Sequence, residues 1–368
     1  MDLTPEQRLH GFRVERTERL AELEADTALL RHEKSGARLL VVSNDDVDKA
    51  FSIAFKTPPK DDTGVFHILE HSVLCGSERF PVKEPFVNLL KSSMQTFLNA
   101  MTFPDKTMYP VASTNEQDLY NLMDVYLDAV LHPNIYRKRA IFEQEGWHYE
   151  LESAGGQLAY NGVVFNEMKG ALSDPDSVLY DAVNAALFPD TAYRFESGGH
   201  PRAIPTLTYE GYLDEHARHY RLDNSYIFLY GDLDVERALA FLDERYLSCE
   251  PTPVPELGTP NPLVRQTPCT AWGVRQGMVT APENACAALG YVIGDATDRA
   301  RMLAAGILMD ALMGSNESPL KKVLLDAQLA GDAYAFVDDA RLQPLLMVEL
   351  KGSKPDVLDE FRAVFERE

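Results

Sequence analysis

Positive charge is scarce in this chain of 368 residues: 35 lysines and arginines stand against 57 aspartates and glutamates, a formal net charge of −22. Such a surface repels phosphate backbones, which excludes nucleic acid as a partner. Cysteine is scarce too. The four present (Cys75, Cys249, Cys269, Cys286) lie far apart with no C-x-x-C pair, which excludes a disulfide framework and fits a reducing cytosol. No apolar stretch approaches the length of a transmembrane helix, so no membrane partner is expected. The N-terminus, Met1-Asp2-Leu3-Thr4-Pro5-Glu6, has no basic region followed by an apolar run. Neither a secretory signal nor a transit peptide is read there, and a bacterial cytoplasm is the expected location.

What is there suits a sizeable core. Hydrophobic residues make up 45% and charged residues 25%, the balance of a soluble globular protein, and the length suggests two domains. The chemistry sits in Gly64-Val65-Phe66-His67-Ile68-Leu69-Glu70-His71-Ser72-Val73-Leu74-Cys75-Gly76. Phe66, Leu69, Val73 and Leu74 recur at helical spacing, with Thr63 as the expected N-cap and Gly76 as the stop. His67 and His71 are four residues apart and project from one face, with Glu70 close to that face. Two imidazoles and a carboxylate on one helical face suit a divalent metal with a proton acceptor beside it. The order H-x-x-E-H is the inverse of the commoner zinc-peptidase motif. Cys75 is expected to be a buried structural thiol, not a ligand.

Along the chain, residues 1–33 read as a polar N-terminal arm or helix packed on the outside. Strands are expected at 36–44 and 49–57, a helix at 86–94, and strands at 96–102 and 107–114, the first of these at a sheet edge. Asn115 caps a long amphipathic helix, and helical patterns continue around 136–150, 160–172 and 207–220. A strand follows at 225–231. Pro251, Pro253, Pro255, Pro260, Pro262 and Pro268 mark a linker over 251–270. The domains are therefore read as 1–250, carrying the metal helix and the N-terminal arm, and 271–368. The second domain is read as strands near 272–279 and 286–294, a helix at 297–313, strands near 332–338 and 344–351, and a helix from 354 that stops at Glu368 as if cut. Setting Gly76-Ser77 against Gly314-Ser315 aligns the two domains as a repeat. Ala305, Leu308 and Met309 then stand opposite His67, Glu70 and His71, so the second domain keeps the shape without the metal chemistry. The fold class is α+β: two related domains, each an antiparallel-rich mixed sheet packed with helices.

A hydrolytic zinc needs a third protein ligand. Glu143, Glu145, Glu150, Glu152 and Glu167 are all open on spacing. Glu167 is set apart by its apolar neighbours Val163, Val164, Phe165 and Met168, among which a buried carboxylate needs a partner.

Beyond the metal helix, four runs carry a resemblance: Lys83-Glu84-Pro85-Phe86-Val87, Thr96-Phe97-Leu98-Asn99-Ala100, Pro110-Val111-Ala112-Ser113-Thr114-Asn115 and Gly162-Val163-Val164-Phe165-Asn166-Glu167-Met168-Lys169-Gly170. With His67 to Ser77 they closely resemble the presequence-protease branch of the pitrilysin/insulysin (M16) metallopeptidases, of LuxS/M16-like fold. The resemblance implies one Zn²⁺ held by His67, His71 and Glu167, with Glu70 as general base. It implies unstructured peptides as substrates, paired with the backbone at Asn99 and Ala100. The pitrilysin branch has an acidic residue seven before the metal Glu. Tyr160 stands there, as the presequence-protease branch allows. Family members have two homologous halves, and this chain resembles the first, so the missing C-terminal half is an implied partner. The rival readings are a non-catalytic structural or partner subunit on the same fold, a metal-dependent hydrolase of another substrate, which the peptide-pairing segment at 97–102 argues against, and a binding module without metal.

Overall fold

The computed structural model describes residues 3–82, 85–249 and 258–368, and of 85–87 the backbone only. Lys83 and Glu84 of the Lys-Glu-Pro-Phe-Val run, and 251–257 of the expected linker, lie outside the described residues. In chain order the elements are β1 (Arg8–Leu9), β2 (Phe12–Leu20), β3 (Ala25–His32), β4 (Arg38–Ser43), β5 (Lys49–Lys56), α1 (Val65–Val73), α2 (Pro85–Ser92), β6 (Gln95–Leu98), β7 (Met101–Thr102), β8 (Lys106–Ser113), α3 (Glu116–Leu131), α4 (Arg139–Glu145), β9 (His148–Glu150), β10 (Ala159–Asn161) and α5 (Val163–Ala171). They continue as α6 (Pro175–Leu187), α7 (Tyr209–His219), β11 (Ser225–Gly231), α8 (Val235–Leu242), β12 (Cys286–Val292), α9 (Arg299–Met313), α10 (Pro319–Asp326), β13 (Asp332–Asp338), β14 (Leu345–Lys351) and α11 (Leu358–Arg367).

The chain forms two units. The first joins Met1–Asn166 to Ser197–Pro262, and the second joins Glu167–Glu196 to Leu263–Glu368. A cut after 250 therefore needs correcting, because α6 and its flanks belong to the second unit. Polar ties hold them there: Tyr180 Oη donates to Asp338 Oδ2 at 2.7 Å, Arg341 Nη1 donates to Asn184 Oδ1 at 2.6 Å, and the Leu342 N–H donates to Tyr193 Oη at 2.8 Å.

In the first unit the strands run β1-β2-β3-β4-β11-β5-β8-β6, with β7 also on β8. Pairing is antiparallel except where β11 lies parallel to β4. Residues 8–32, expected as an arm or helix, are instead strands of this sheet. Phe12, Val14, Ala28 and Leu30 face inward and are wholly buried, while the arginines and glutamates between them stay at the surface. The leucines at 20, 23, 29 and 30 suggested a helix, but the alternation prevails once neighbouring strands supply ladder bonds. The helices expected around 136–150 and 160–172 shorten to α4 and α5, and their facing ends pair as the β9–β10 hairpin, with Asn161 opposite His148.

The second unit has a three-stranded antiparallel sheet in the order β12-β14-β13. Leu324, Val348, Leu350 and Phe361 form the centre of its core. The segment 272–279, expected as a strand, takes no strand form. Its valines 274 and 279 are exposed, so no apolar face drives pairing. Helix α9, the counterpart of α1 in the repeat register, buries Met309 and exposes Leu308. Both units are mixed α+β layers with antiparallel-rich sheets, as expected from the sequence.

Candidate metal centre

Helix α1 forms because Val65, Phe66, Ile68, Leu69 and Val73 bury one stripe, each contributing roughly 1.5–3 kcal/mol. Its N-cap is Gly64, not Thr63: the Thr63 hydroxyl donates to Asp61 at 2.5 Å instead. Gly64 has φ +65°, and a Cβ there would stand 2.4 Å from the carbonyl oxygen of Gly198. Gly199 reciprocates, for a Cβ on it would lie 2.9 Å from Gly64 Cα. Two glycines thus let a distant loop close onto the start of α1. That approach sets the Gly198 carbonyl 2.9 Å from His67 Nδ1. A carbonyl only accepts, so Nδ1 carries the proton and Nε2 is the nitrogen with a lone pair for ligation.

His71 is oriented by the same logic. Its Nδ1 lies 3.5 Å from Glu145 Oε2, at the end of α4. Glu145 is buried, and its Oε1 accepts from Gln144 Nε2 at 2.8 Å and from Cys75 Sγ at 3.4 Å. Burial alone would raise this carboxyl's pKa, but the hydrogen bonds from His71, Gln144 and Cys75 outweigh it and hold it below the ordinary value. Cys75 is half-buried, not buried as expected, and serves as a donor to Glu145. The His67 and His71 rings meet edge-on, with centroids 5.0 Å apart.

The third donor comes from α5. The helix is preceded by Gly162, whose approach to the Gly146 carbonyl leaves no room for a side chain: a Cβ would stand 2.2 Å from that oxygen. Val164 and Phe165 are buried, which fixes the helix rotation. The unit boundary falls inside this helix, after Asn166, and Glu167 is the first residue beyond it. One ligand atom from each of His67, His71 and Glu167 lies within 4.8 Å of the others. Glu167 is exposed, so the sequence argument from burial among apolar neighbours does not describe it. Two imidazole nitrogens and a carboxylate are a donor set that fits a divalent zinc-type ion.

Glu70 stands beside this cluster without belonging to it. It is buried, and the Thr102 hydroxyl on β7 donates to its Oε2 at 2.7 Å. Around it lie the phenols Tyr109, Tyr126 and Tyr220, whose pKa values burial pushes upward and the nearby Glu70 carboxylate pushes further. Of the other carboxylates left open, Glu145 proves to be the partner behind His71, and Glu143 pairs with Arg139 at the surface at 3.0 Å.

The sheet ends at β6, whose outer side is an edge. Asn99 interrupts that edge. Its N–H donates to the Pro110 carbonyl at 3.2 Å, its carbonyl accepts from Tyr126 Oη at 3.3 Å, and its Oδ1 accepts from the Ala100 N–H at 2.9 Å. The expected pairing of both residues with peptide therefore narrows, because the main chain of Asn99 is already engaged. Sequence reasoning did not find Thr102, the Gly198 carbonyl or the role of Glu145. The Gly198-Gly199 pair was the one local signal of the loop that reaches His67.

Comparison with known proteins agrees with this architecture. The family model for insulinase (peptidase family M16) matches residues 57–173, and that for the peptidase M16 inactive domain matches 206–368. The chain is 45% identical to Protein HypA of Clostridium perfringens, over 96% of this chain and 37% of that protein. It is 43% identical to Presequence protease 1, chloroplastic/mitochondrial, of Arabidopsis thaliana, over 93% of this chain and 32% of that one. The chain thus spans about a third of the length of these relatives. The crystal structure of a protease from Helicobacter pylori shares the fold, with a TM-score of 0.68 and 17% identity over 91% of this chain and 78% of that chain. The chain belongs to the insulinase (M16) family of peptidases and is presequence-protease-like.

Proposed function

We propose that this chain is the metal-bearing part of a zinc-dependent endopeptidase that hydrolyses short, unstructured peptides. The observation that carries the reading is the convergence of His67, His71 and Glu167 within 4.8 Å, with buried Glu70 beside them. A zinc ion bound by those three would act as a Lewis acid on the scissile carbonyl and acidify the attacking water. Glu70 is the general base. Thr102 holds its Oε2, so the carboxylate presents its other oxygen to receive the proton and later to return it to the leaving amine. Gly198 and Glu145 fix the two imidazoles in the tautomer a metal needs. An extended peptide would lie along the β6–β7 edge, pairing with Ala100 once its N–H leaves the Asn99 side chain.

Because the chain spans a third of its relatives, we assign peptide closure to the C-terminal half that the family resemblance implies. The chain alone should bind about one zinc at this site and turn over peptide poorly, since positioning and water exclusion are incomplete. The test is a quenched-peptide assay with a chelator control, alongside metal analysis of the native chain, His71→Ala and Glu70→Gln. His71→Ala should lose this metal. Glu70→Gln should keep it, and in the full-length protein turnover should fall at least ~100-fold. Metal retained at this site in His71→Ala, or near-normal turnover in Glu70→Gln, overturns the assignment.

A further inference from the structure

A second group of donors lies wholly within the second unit, on the sheet face covered by α6. Glu349 and Lys351 are two apart on the central strand β14, so their side chains share a face. Cys286 on β12 is the cross-strand partner of Lys351 and joins that face. Asp176, in the first turn of α6, comes down on them: its Oδ1 is 3.8 Å from Cys286 Sγ, and its Oδ2 accepts from Lys351 Nζ. One donor atom from each of Asp176, Cys286 and Glu349 lies within 4.8 Å of the others.

Glu349 is what makes this more than a surface cluster. It is only 5% exposed, and its Oε1 is buried with no hydrogen-bond partner among the described residues. An unmet buried carboxylate oxygen is costly, so the sheet carries a penalty that a ligand would remove. Burial, then a side-chain hydrogen bond with Asp176 and its charge, push the Glu349 pKa up to about 7; that bond leaves Oε1 without a partner. Charge counting points the same way. Burial, then Glu349 and Asp176, push the Cys286 thiol pKa up, so its proton leaves only as a metal binds; in that form Asp176, Glu349 and the thiolate are ionised, Lys351 is protonated, and the two negative charges left are what one divalent ion neutralises. The cluster opens on a cavity of about 500 Å³ with Tyr180, Tyr334 and Phe336 in its wall, giving room for water to complete a coordination sphere.

We propose that Asp176, Cys286 and Glu349 form a second metal site that takes one thiophilic divalent cation of the zinc class and pins α6 to the sheet. A thiolate in the set selects against magnesium and calcium, which prefer oxygen alone. The site is independent of the histidine cluster and rests on none of its chemistry. On binding, the Cys286 thiol proton and any proton on Glu349 pass to solvent, and the sulfur stays as the ligand.

The test titrates Cd²⁺ into the metal-free native chain and follows the thiolate-to-cadmium absorption in the ultraviolet. The His67–His71–Glu167 cluster contains no thiolate, so cadmium held by those three residues gives no such band. About one equivalent should produce the band in the native chain, in His71→Ala and in Cys75→Ser. It should vanish in Cys286→Ser, and Glu349→Gln should weaken it at least ~10-fold in affinity, on the scale of disturbing a metal's ligand environment. Equilibrium dialysis against Zn²⁺ should give one equivalent less for Cys286→Ser than for the native chain. Circular dichroism checks the fold of each variant, and Glu349→Gln carries the same dialysis test should Cys286→Ser not fold. No band in the native chain, a band that survives Cys286→Ser, or an unchanged zinc count in both variants overturns the proposal.

Discussion

Glu145→Gln tests whether this carboxylate orients one of the proposed ligands. Glu145 Oε2 lies 3.5 Å from His71 Nδ1. At that distance a full charge on the ring would interact with the carboxylate by about 5 kcal/mol at an effective dielectric of about 20. A ring bound to metal through Nε2 carries only a fraction of a charge. Roughly a third of the interaction, about 1.6 kcal/mol, corresponds to somewhat more than tenfold in affinity. That is the lower end of the ~10–100-fold cost of losing an outer partner of a metal-bound histidine. Glutamine keeps the volume, and its amide oxygen can still accept from Cys75, so the buried site need not collapse. Competition with a chromophoric zinc chelator at pH 7.5 measures Kd, and a thermal melt of the metal-free protein checks the fold. Zinc should bind at least about tenfold more weakly with little change in Tm. Glu143→Gln, on the same helix but paired at the surface with Arg139, should leave Kd unaltered. An unchanged Kd in folded Glu145→Gln would refute the argument that this carboxylate tunes His71.

His216 and His219 should make the first unit acid-sensitive. Burial pushes each pKa down to about 4, and each ring already uses both nitrogens: His216 donates to the Val130 carbonyl and accepts from Tyr136, while His219 donates to the Glu215 carbonyl and accepts from the Asn261 N–H. A base depressed on folding binds its proton more readily when unfolded, so stability falls as pH drops from about 6.5 towards 4. Between pH 7.5 and 5.5 the loss should be about 1 kcal/mol per histidine, and urea unfolding at the two values reads it. Equal midpoints would count against it. Gly64→Ala should lower stability by about 1–3 kcal/mol, since φ is +65° and the new Cβ would press on the Gly198 carbonyl. A melt within a degree of the native chain would contradict that close approach. If peptides add along the β6–β7 edge, the full-length protein should cut unstructured peptides and spare a stably folded protein of similar size. Equal cleavage of both would remove the edge from the argument.

How much of this was legible beforehand follows from the range of the forces involved. His67, Glu70 and His71 were readable because a helix of 3.6 residues per turn fixes their relation by backbone geometry alone. Asn115 was likewise readable as a cap, since its side-chain Oδ1 accepts from the Asp118 N–H three residues on. Strands β4, β5, β8 and β11 announced themselves by their own apolar pattern. The third donor did not. Spacing left Glu143, Glu145 and Glu167 equally open, the apolar neighbours that set Glu167 apart do not bury it, and only packing puts Glu145 behind His71 and Glu167 beside both rings. Residues 8–32 were strands that their own leucines disguised, because ladder bonds from neighbours settle what a polar segment cannot settle alone. Helix α6 went unread, and with it the transfer of Glu167–Glu196 to the second unit. The sequence alone thus determined the reactive helix, whose geometry is local. The tertiary structure decided the candidate donor from 100 residues away, the carbonyl from 131 away and the division of the chain, because each depends on contacts between segments that carry no mark of one another.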